Sequence, residues 1–164
     1  KENDAFWNAN ERRAKAERLG LTIPEVITLA SIVEEETNYQ PEKSRVAGLY
    51  LNRLRKGIRL QSDPTVKFAL KDFALNRILF EHLKVDDPYN TYKYAGLPPG
   101  PIRLPSVATI DAVLNAEKHN YIYMCAHPDF NGTHNFAVTL AEHNRNAAKY
   151  HVALRKWLAE KKKK

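Results

Sequence analysis

The sequence predicts an α+β fold, mostly helical with one small antiparallel β-hairpin. Three observations carry this. Apolar residues recur at helical spacing along most of the 164-residue chain. Strand character is confined to Tyr121–Ala126 and His134–Val138, joined by Asp129-Phe130-Asn131-Gly132, where Asn-Gly is a hairpin signal. Helical and strand segments do not alternate as a parallel α/β sheet requires. The length suits one domain with a single core. No stretch approaches the roughly 18 apolar residues of a membrane span. Lys1-Glu2-Asn3-Asp4 is no natural start and reads as an excised piece, with residues 1–20 a linker helix from a missing upstream region and residues 21–164 the working domain.

Taken in order, residues 4–19 read as a helix anchored by Phe6 and Trp7 and stopped by Gly20. Thr22–Asn38 is an amphipathic helix: Thr22 is the N-cap, Glu25 completes a capping box, and Pro24 lies harmlessly in the first turn. At about 100° per residue, Val26, Ala30, Val33 and Thr37 centre the apolar face and Glu35 points opposite, into solvent. Glu34 stacks over Ile27 and Ala30 on one flank of that face, and Glu36 lies on the other. A carboxylate leaning on an aliphatic surface is partly desolvated, which raises its pKa and suits it to giving a proton near neutral pH. Glu34 is therefore the candidate acid. The pattern alone also fits a solvated acidic helix end, although three like charges there oppose the macrodipole.

A third helix spans Lys43–Lys56, with Val46, Leu49, Tyr50 and Leu54 at helical spacing, Gly57 as C-cap, and Arg45, Arg53 and Arg55 as surface residues. Ile58–Thr65 is extended, with an Asp63-Pro64 turn leading into a short helix, Val66–Leu70; Phe73–Leu83 reads as another helix. Asp86–Pro105 is too rich in Pro and Gly for a helix or central strand. Its tyrosines, Tyr89, Tyr92 and Tyr94, nonetheless give it apolar area to bury. Tyrosines beside Asn90 and Thr91 suit a carbohydrate cleft, with flat faces for sugar rings and polar groups for their substituents, and suit a packed structural loop equally. Ser106–Lys118 is a helix, and Leu140–Leu158 closes the chain as a long amphipathic one.

The chemistry is narrowed mostly by exclusion. No glycine-rich phosphate loop or nucleophile elbow is present. The lone Cys125 excludes an internal disulfide and reads as a buried strand thiol. His127, His134, His143 and His151 match no zinc spacing, so neither metal nor cofactor is expected. His143, beside Asn144, reads as a hydrogen-bonding residue at the border of a site. Net charge is +7, and removing the terminal Lys161–Lys164 run leaves +3. No interleaved aromatic-basic motif accompanies that charge, so nucleic acid is not an expected partner.

Five blocks in order then resemble one family. Ala30-Ser31-Ile32-Val33-Glu34-Glu35-Glu36-Thr37 is similar to the ASIVE-x-E-T signature of the YceG-like family, the endolytic murein transglycosylases of bacterial cell walls. Leu51-Asn52-Arg53-Leu54 with Leu60-Gln61-Ser62-Asp63-Pro64-Thr65-Val66 follows, then Pro88-Tyr89-Asn90-Thr91-Tyr92. Gly96-Leu97-Pro98-Pro99-Gly100-Pro101-Ile102 and His134-Asn135-Phe136 leading to Glu142-His143-Asn144 complete the set. The resemblance covers residues 21–158, with residues 71–84 fitting loosely.

It implies a lysozyme-like catalytic domain in which the family's glutamate maps onto Glu34. It also implies a substrate surface of Gln61, Ser62, Asp63, Tyr89, Asn90, Thr91, Tyr92, Pro99, Phe136, His143 and Asn144. The implied reaction is lytic cleavage of peptidoglycan between N-acetylmuramic acid and N-acetylglucosamine, closed by the sugar's own C6 hydroxyl. One carboxyl then suffices, where ordinary glycosidases use two. The implied setting is the outer (periplasmic) face of the cytoplasmic membrane, reached through an N-terminal anchor, with peptidoglycan synthases (penicillin-binding proteins) as partners. The rival readings are a muramidase-type hydrolase with Glu36 or Asp63 as second acid, and a glycan-binding module without turnover.

Overall fold

The computed structural model describes residues 2–71 and 79–163. It divides into two compact units, Lys1–Lys118 and His119–Lys164.

The first unit is built on α3 (Ile23–Glu36), whose capping box forms as the sequence predicts: the Glu25 N–H donates to Thr22 Oγ1 and the Thr22 N–H to Glu25 Oε1. Its Val26, Leu29, Ala30, Ile32 and Val33 are completely buried. They pack against α4 (Lys43–Lys56), α5 (Asp63–Leu70) and α6 (Val107–Leu114). Val46, Ala47, Leu49 and Tyr50 of α4 and Ile110 and Val113 of α6 complete the core. Each large aliphatic side chain buried here contributes roughly 1.5–3 kcal/mol by leaving water.

The stretch expected as one helix over residues 4–19, within a linker of residues 1–20, forms two: α1 (Glu2–Asn8) and α2 (Arg12–Leu19). Asn10 and Glu11 between them take left-handed backbone angles, with φ of 54° and 59°. That reversal delivers Arg12 to a forked ion pair with Asp111 of α6 (2.9 and 3.0 Å), over the Phe6 ring. Trp7 is 1% exposed, so this segment is part of the first unit's packing.

Other boundaries moved for local reasons. α5 starts at Asp63 with Pro64 in its first turn, so the expected Asp-Pro turn is helical. α6 ends at Leu114, where the Asn115 side chain donates to the Asp111 carbonyl (2.9 Å) and competes with the helical ladder. The expected helix at 73–83 falls largely outside the described residues; Phe80–Lys84 is a 3₁₀ turn. Asp86–Pro105 contains neither helix nor strand, as its Pro and Gly require.

In the second unit, β1 (Tyr123–Ala126) pairs antiparallel with β2 (His134–Ala137) in the register Tyr123↔Ala137. α7 (Leu140–Lys162) packs on both strands, capped by Thr139 Oγ1 accepting from the Glu142 N–H. Cys125 is half-buried and not the enclosed thiol expected, because a two-stranded sheet covers only part of each side chain. Among the described residues no helix is long and apolar enough to cross a membrane, and no cluster of His, Cys, Asp and Glu could hold a metal.

Candidate active site

The end of α3 places its three carboxylates in three different surroundings. Glu35 is exposed and pairs with Arg103 at 2.9 Å, a contact of small energetic weight in solvent. Glu34 is enclosed, its side chain 12% exposed. Its Oε1 accepts from the Ser106 N–H (2.7 Å); its Oε2 accepts from Thr109 Oγ1 (2.9 Å) and forms an ion pair with Lys43, whose side chain is 7% exposed. Lys43 also donates to Thr109 Oγ1 at 2.9 Å.

This arrangement corrects the raised pKa expected of Glu34. Burial does push the group up, but Lys43, both donors of Ser106 and Thr109 outweigh it and lower the pKa to about 2. The helical wheel shows the aliphatic flank and cannot show a lysine arriving from the next helix. An ammonium carries a fixed charge, so protonating Glu34 would leave the buried Lys43 without its counter-charge.

Glu36 has a different kind of neighbour. Its Oε1 accepts from Tyr50 Oη (2.8 Å) and Ser62 Oγ (2.7 Å), both neutral hydroxyls that can rotate to accept when the carboxyl carries a proton. Tyr50 and Ser62 are buried at 2% and 1% exposure, while Glu36 is half-buried. Burial, then the Glu36 charge, hold the Tyr50 phenol well above its ordinary range. Tyr92 is raised by burial and by Asp63, with a further contribution from Glu36, and Arg53 opposes the shift at both tyrosines. Arg53 is thus a buried member of this cluster, at 7% exposure, and not the surface residue expected; it donates to the Arg59 carbonyl at 2.7 Å.

The backbone that brings Ser62 to Glu36 is fixed by a closed set of bonds. Gln61, at φ 51°, turns the chain and donates from its N–H to the Thr91 carbonyl. The Ser62 N–H donates to Thr91 Oγ1 (2.9 Å), Thr91 Oγ1 lies 2.8 Å from Thr65 Oγ1, and Thr65 Oγ1 donates to the Ser62 carbonyl (2.7 Å). Tyr92 Oη then reaches Asp63 Oδ1 at 2.5 Å. Gln61, Ser62, Asp63, Thr91 and Tyr92 are therefore gathered on the Glu36 side.

Two expected contact residues work inside the fold instead. Asn90 is completely buried, with its amide N–H groups on the Leu83 and Val85 carbonyls and its oxygen taking the Tyr92 N–H. Thr91, at 1% exposure, is consumed by the bonds just described. Both position Tyr92 and Ser62, and neither presents a free polar group.

Tyr89 packs on Phe68 (ring centroids 4.7 Å apart), and its hydroxyl would stand 3.2 Å from a Cβ at Gly100, so a larger residue there needs the Tyr89 side chain to shift by a few tenths of an ångström; the neighbouring Pro99 is exposed. Phe136, His143 and Asn144 belong to the second unit. There Phe136 packs beside Tyr121, His143 stacks on Tyr123 at 5.1 Å, and Asn144 is exposed. Sequence reasoning missed Lys43, Tyr50 and Thr109, each reading as an ordinary helix position.

Comparison with known proteins gives a consistent result. The model of the YceG-like family matches residues 1–149. An endolytic murein transglycosylase of Bacillus subtilis (strain 168) is 38% identical over 130 residues, covering 79% of this chain and 35% of that protein. One of Streptococcus pneumoniae serotype 2 (strain D39 / NCTC 7466) is 34% identical over 134 residues, covering 79% of this chain and 24% of the other. The chain thus spans about a third or less of these relatives. A 2.6 Å crystal structure of a yceG-like protein from Listeria monocytogenes superposes with a TM-score of 0.74 at 36% identity, covering 84% of this chain and 43% of that one.

Proposed function

The chain belongs to the YceG-like family, and from that premise we propose that it is an endolytic lytic transglycosylase of peptidoglycan, with Glu36 as its proton-transferring group. The family and the two named relatives support the reaction class. The observation that carries the choice of residue is the carboxylate environment. Glu36 accepts from the hydroxyls of Tyr50 and Ser62, in the cluster that holds Arg53 and the polar 61–63 and 91–92 segments, whereas Glu34 is held by Lys43, Ser106 and Thr109. Glu34, which the motif alignment selects, is the competing assignment.

In the proposed reaction the protonated carboxyl gives its proton to the oxygen bridging N-acetylmuramic acid to N-acetylglucosamine. The C1–O bond breaks, leaving an oxocarbenium-like sugar. The C6 hydroxyl of the same sugar closes on C1 and returns its proton to the carboxylate, giving a 1,6-anhydro end and a regenerated acid. Bound water is not consumed, so a second carboxylate to activate it is unnecessary. Mass spectrometry of fragments released from purified glycan is expected to find anhydro-muramic ends. Reducing muramic ends in their place would make the protein a hydrolase and bring back Asp63 as the second acid.

The Tyr92 ring and its bond to Asp63 form the adjoining wall. Tyr92→Ala is expected to lower kcat/KM about tenfold, as loss of a positioned substrate contact does, while Tm falls by only a few degrees. A collapse in Tm with normal cleavage by the folded remainder would make the loop purely structural. The proposed setting is the outer face of the cytoplasmic membrane, where the full-length protein, held by one N-terminal span, ends strands made by a penicillin-binding protein. Recovery of the native protein in the soluble cytoplasmic fraction would oppose this.

A further inference from the structure

A recess of about 230 Å³ at the end of α3 and the start of α5 is lined by Glu35, Pro64, Lys67, Phe68 and Ile102. Glu35 lies in the last turn of α3 and Pro64 in the first turn of α5, the two element ends that the Ser62–Glu36 bond also joins, so the recess lies at the same junction as the carboxylate that the proposed chemistry uses. Its walls are fixed. The Ile102 N–H donates to Ser31 Oγ (3.0 Å), which ties the 96–102 loop to α3, and Phe68 is braced by Tyr89. Three lining residues are apolar and two are charged. The Glu35 charge is answered by Arg103 at 2.9 Å. Lys67 is half-buried and forms no ion pair among the described residues, so the recess keeps an unanswered positive charge over an apolar surface.

We propose that this recess holds one carboxylate-bearing amino-acid residue of the peptide stem attached to muramic acid, with the carboxylate on Lys67 and its aliphatic part against Pro64, Phe68 and Ile102. The inference rests on the glycan-cleaving reading given above. Size selects the class: about 230 Å³ is smaller than the roughly 300–1,000 Å³ that encloses a drug-sized ligand, and fits a single amino-acid residue better than a disaccharide. Charge selects the component: the sugars of the strand offer hydroxyl and acetamido groups, and its free carboxylates are on the stems. Lys67 would thereby make cleavage depend on whether the stem is present.

The test compares the wild type with Lys67→Met, which keeps the length and apolar stem of the side chain and removes its charge. kcat/KM is measured on stem-bearing glycan with its stem carboxylates free and on the same glycan with them amidated. A soluble disaccharide-peptide is titrated in parallel, with its carboxylates free and with them amidated. The ratio of kcat/KM between the two glycans is expected to fall about three- to tenfold in the variant, the range of one partly desolvated charged contact. Affinity for the free-carboxylate peptide should fall by a similar factor, with no loss for the amidated one. An unchanged ratio, or equal losses with free and amidated peptide, overturns the proposal. If the wild type cleaves neither glycan, the glycan-cleaving reading fails, and the titration alone then decides Lys67 by the same criterion.

Discussion

Glu36→Gln is expected to abolish release of anhydro ends while leaving the protein folded. The amide keeps the shape of the side chain and can still meet Tyr50 and Ser62, but has no proton to transfer. One group serves both the protonation and the ring closure, so the loss should reach or exceed the roughly 10²–10⁴-fold typical of a general acid–base residue. Glu34→Gln should behave otherwise. It strands Lys43, at 7% side-chain exposure, without its counter-charge, so the variant should melt earlier, yet the molecules that remain folded should cleave. Glu35→Gln, losing an exposed pair with Arg103 at the recess, should leave Tm nearly unchanged and keep cleavage far closer to wild type than Glu36→Gln does. Anhydro-muropeptide release by all three variants, with melts alongside, separates these outcomes. A folded but inactive Glu34→Gln beside an active Glu36→Gln would return the role to Glu34 and show that the Lys43 pair opens on substrate binding.

The contrast between these carboxylates shows where sequence reading stops. The capping box at Thr22, the buried stripe from Val26 to Val33, the glycine ending α4 and the short hairpin are all decided within a few residues. Spacing therefore predicts them, and the structure contains them. The same helical wheel put Glu34 and Glu36 on opposite flanks of the apolar face. It could not say what each flank meets. Thr109 reaches Glu34 from 75 positions away, and Ser62 reaches Glu36 from 26 away. Those contacts are products of packing, and they invert the acid–base character that local hydrophobicity suggests. The break at Asn10–Glu11 has a similar origin, because the forked Arg12–Asp111 pair lies 99 positions apart in the chain. Asn90 shows the reverse error: an amide beside tyrosines suits a sugar, yet here it closes the loop's own backbone.

Lys43→Met should be the most destabilising single change in the first unit's polar interior, costing about 3–5 kcal/mol, because it leaves Glu34 buried without its cation. Ser106 and Thr109 would still donate to that carboxylate but bring no charge. Acid should reveal the same pair in the wild type. The Glu34 pKa is lower folded, at about 2, than its ordinary value of 4.5, so ionisation favours the folded state. The stabilisation, about 3 kcal/mol from that difference, is fully present above pH 4.5 and is lost as pH falls toward about 2. Glu34→Gln cannot lose what it lacks. The Tm gap between wild type and Glu34→Gln should therefore be constant from pH 7 down to about pH 5, then narrow steadily toward pH 2. The double variant Glu34→Gln/Lys43→Met, which removes both charges, should recover most of the stability that either single change loses, since a neutral pair of similar volume needs no desolvation. A Tm gap that stays the same from pH 7 to pH 2, with a double variant as unstable as Lys43→Met, would mean that the Glu34–Lys43 pair contributes nothing to the fold and that Glu34 is free to take a proton.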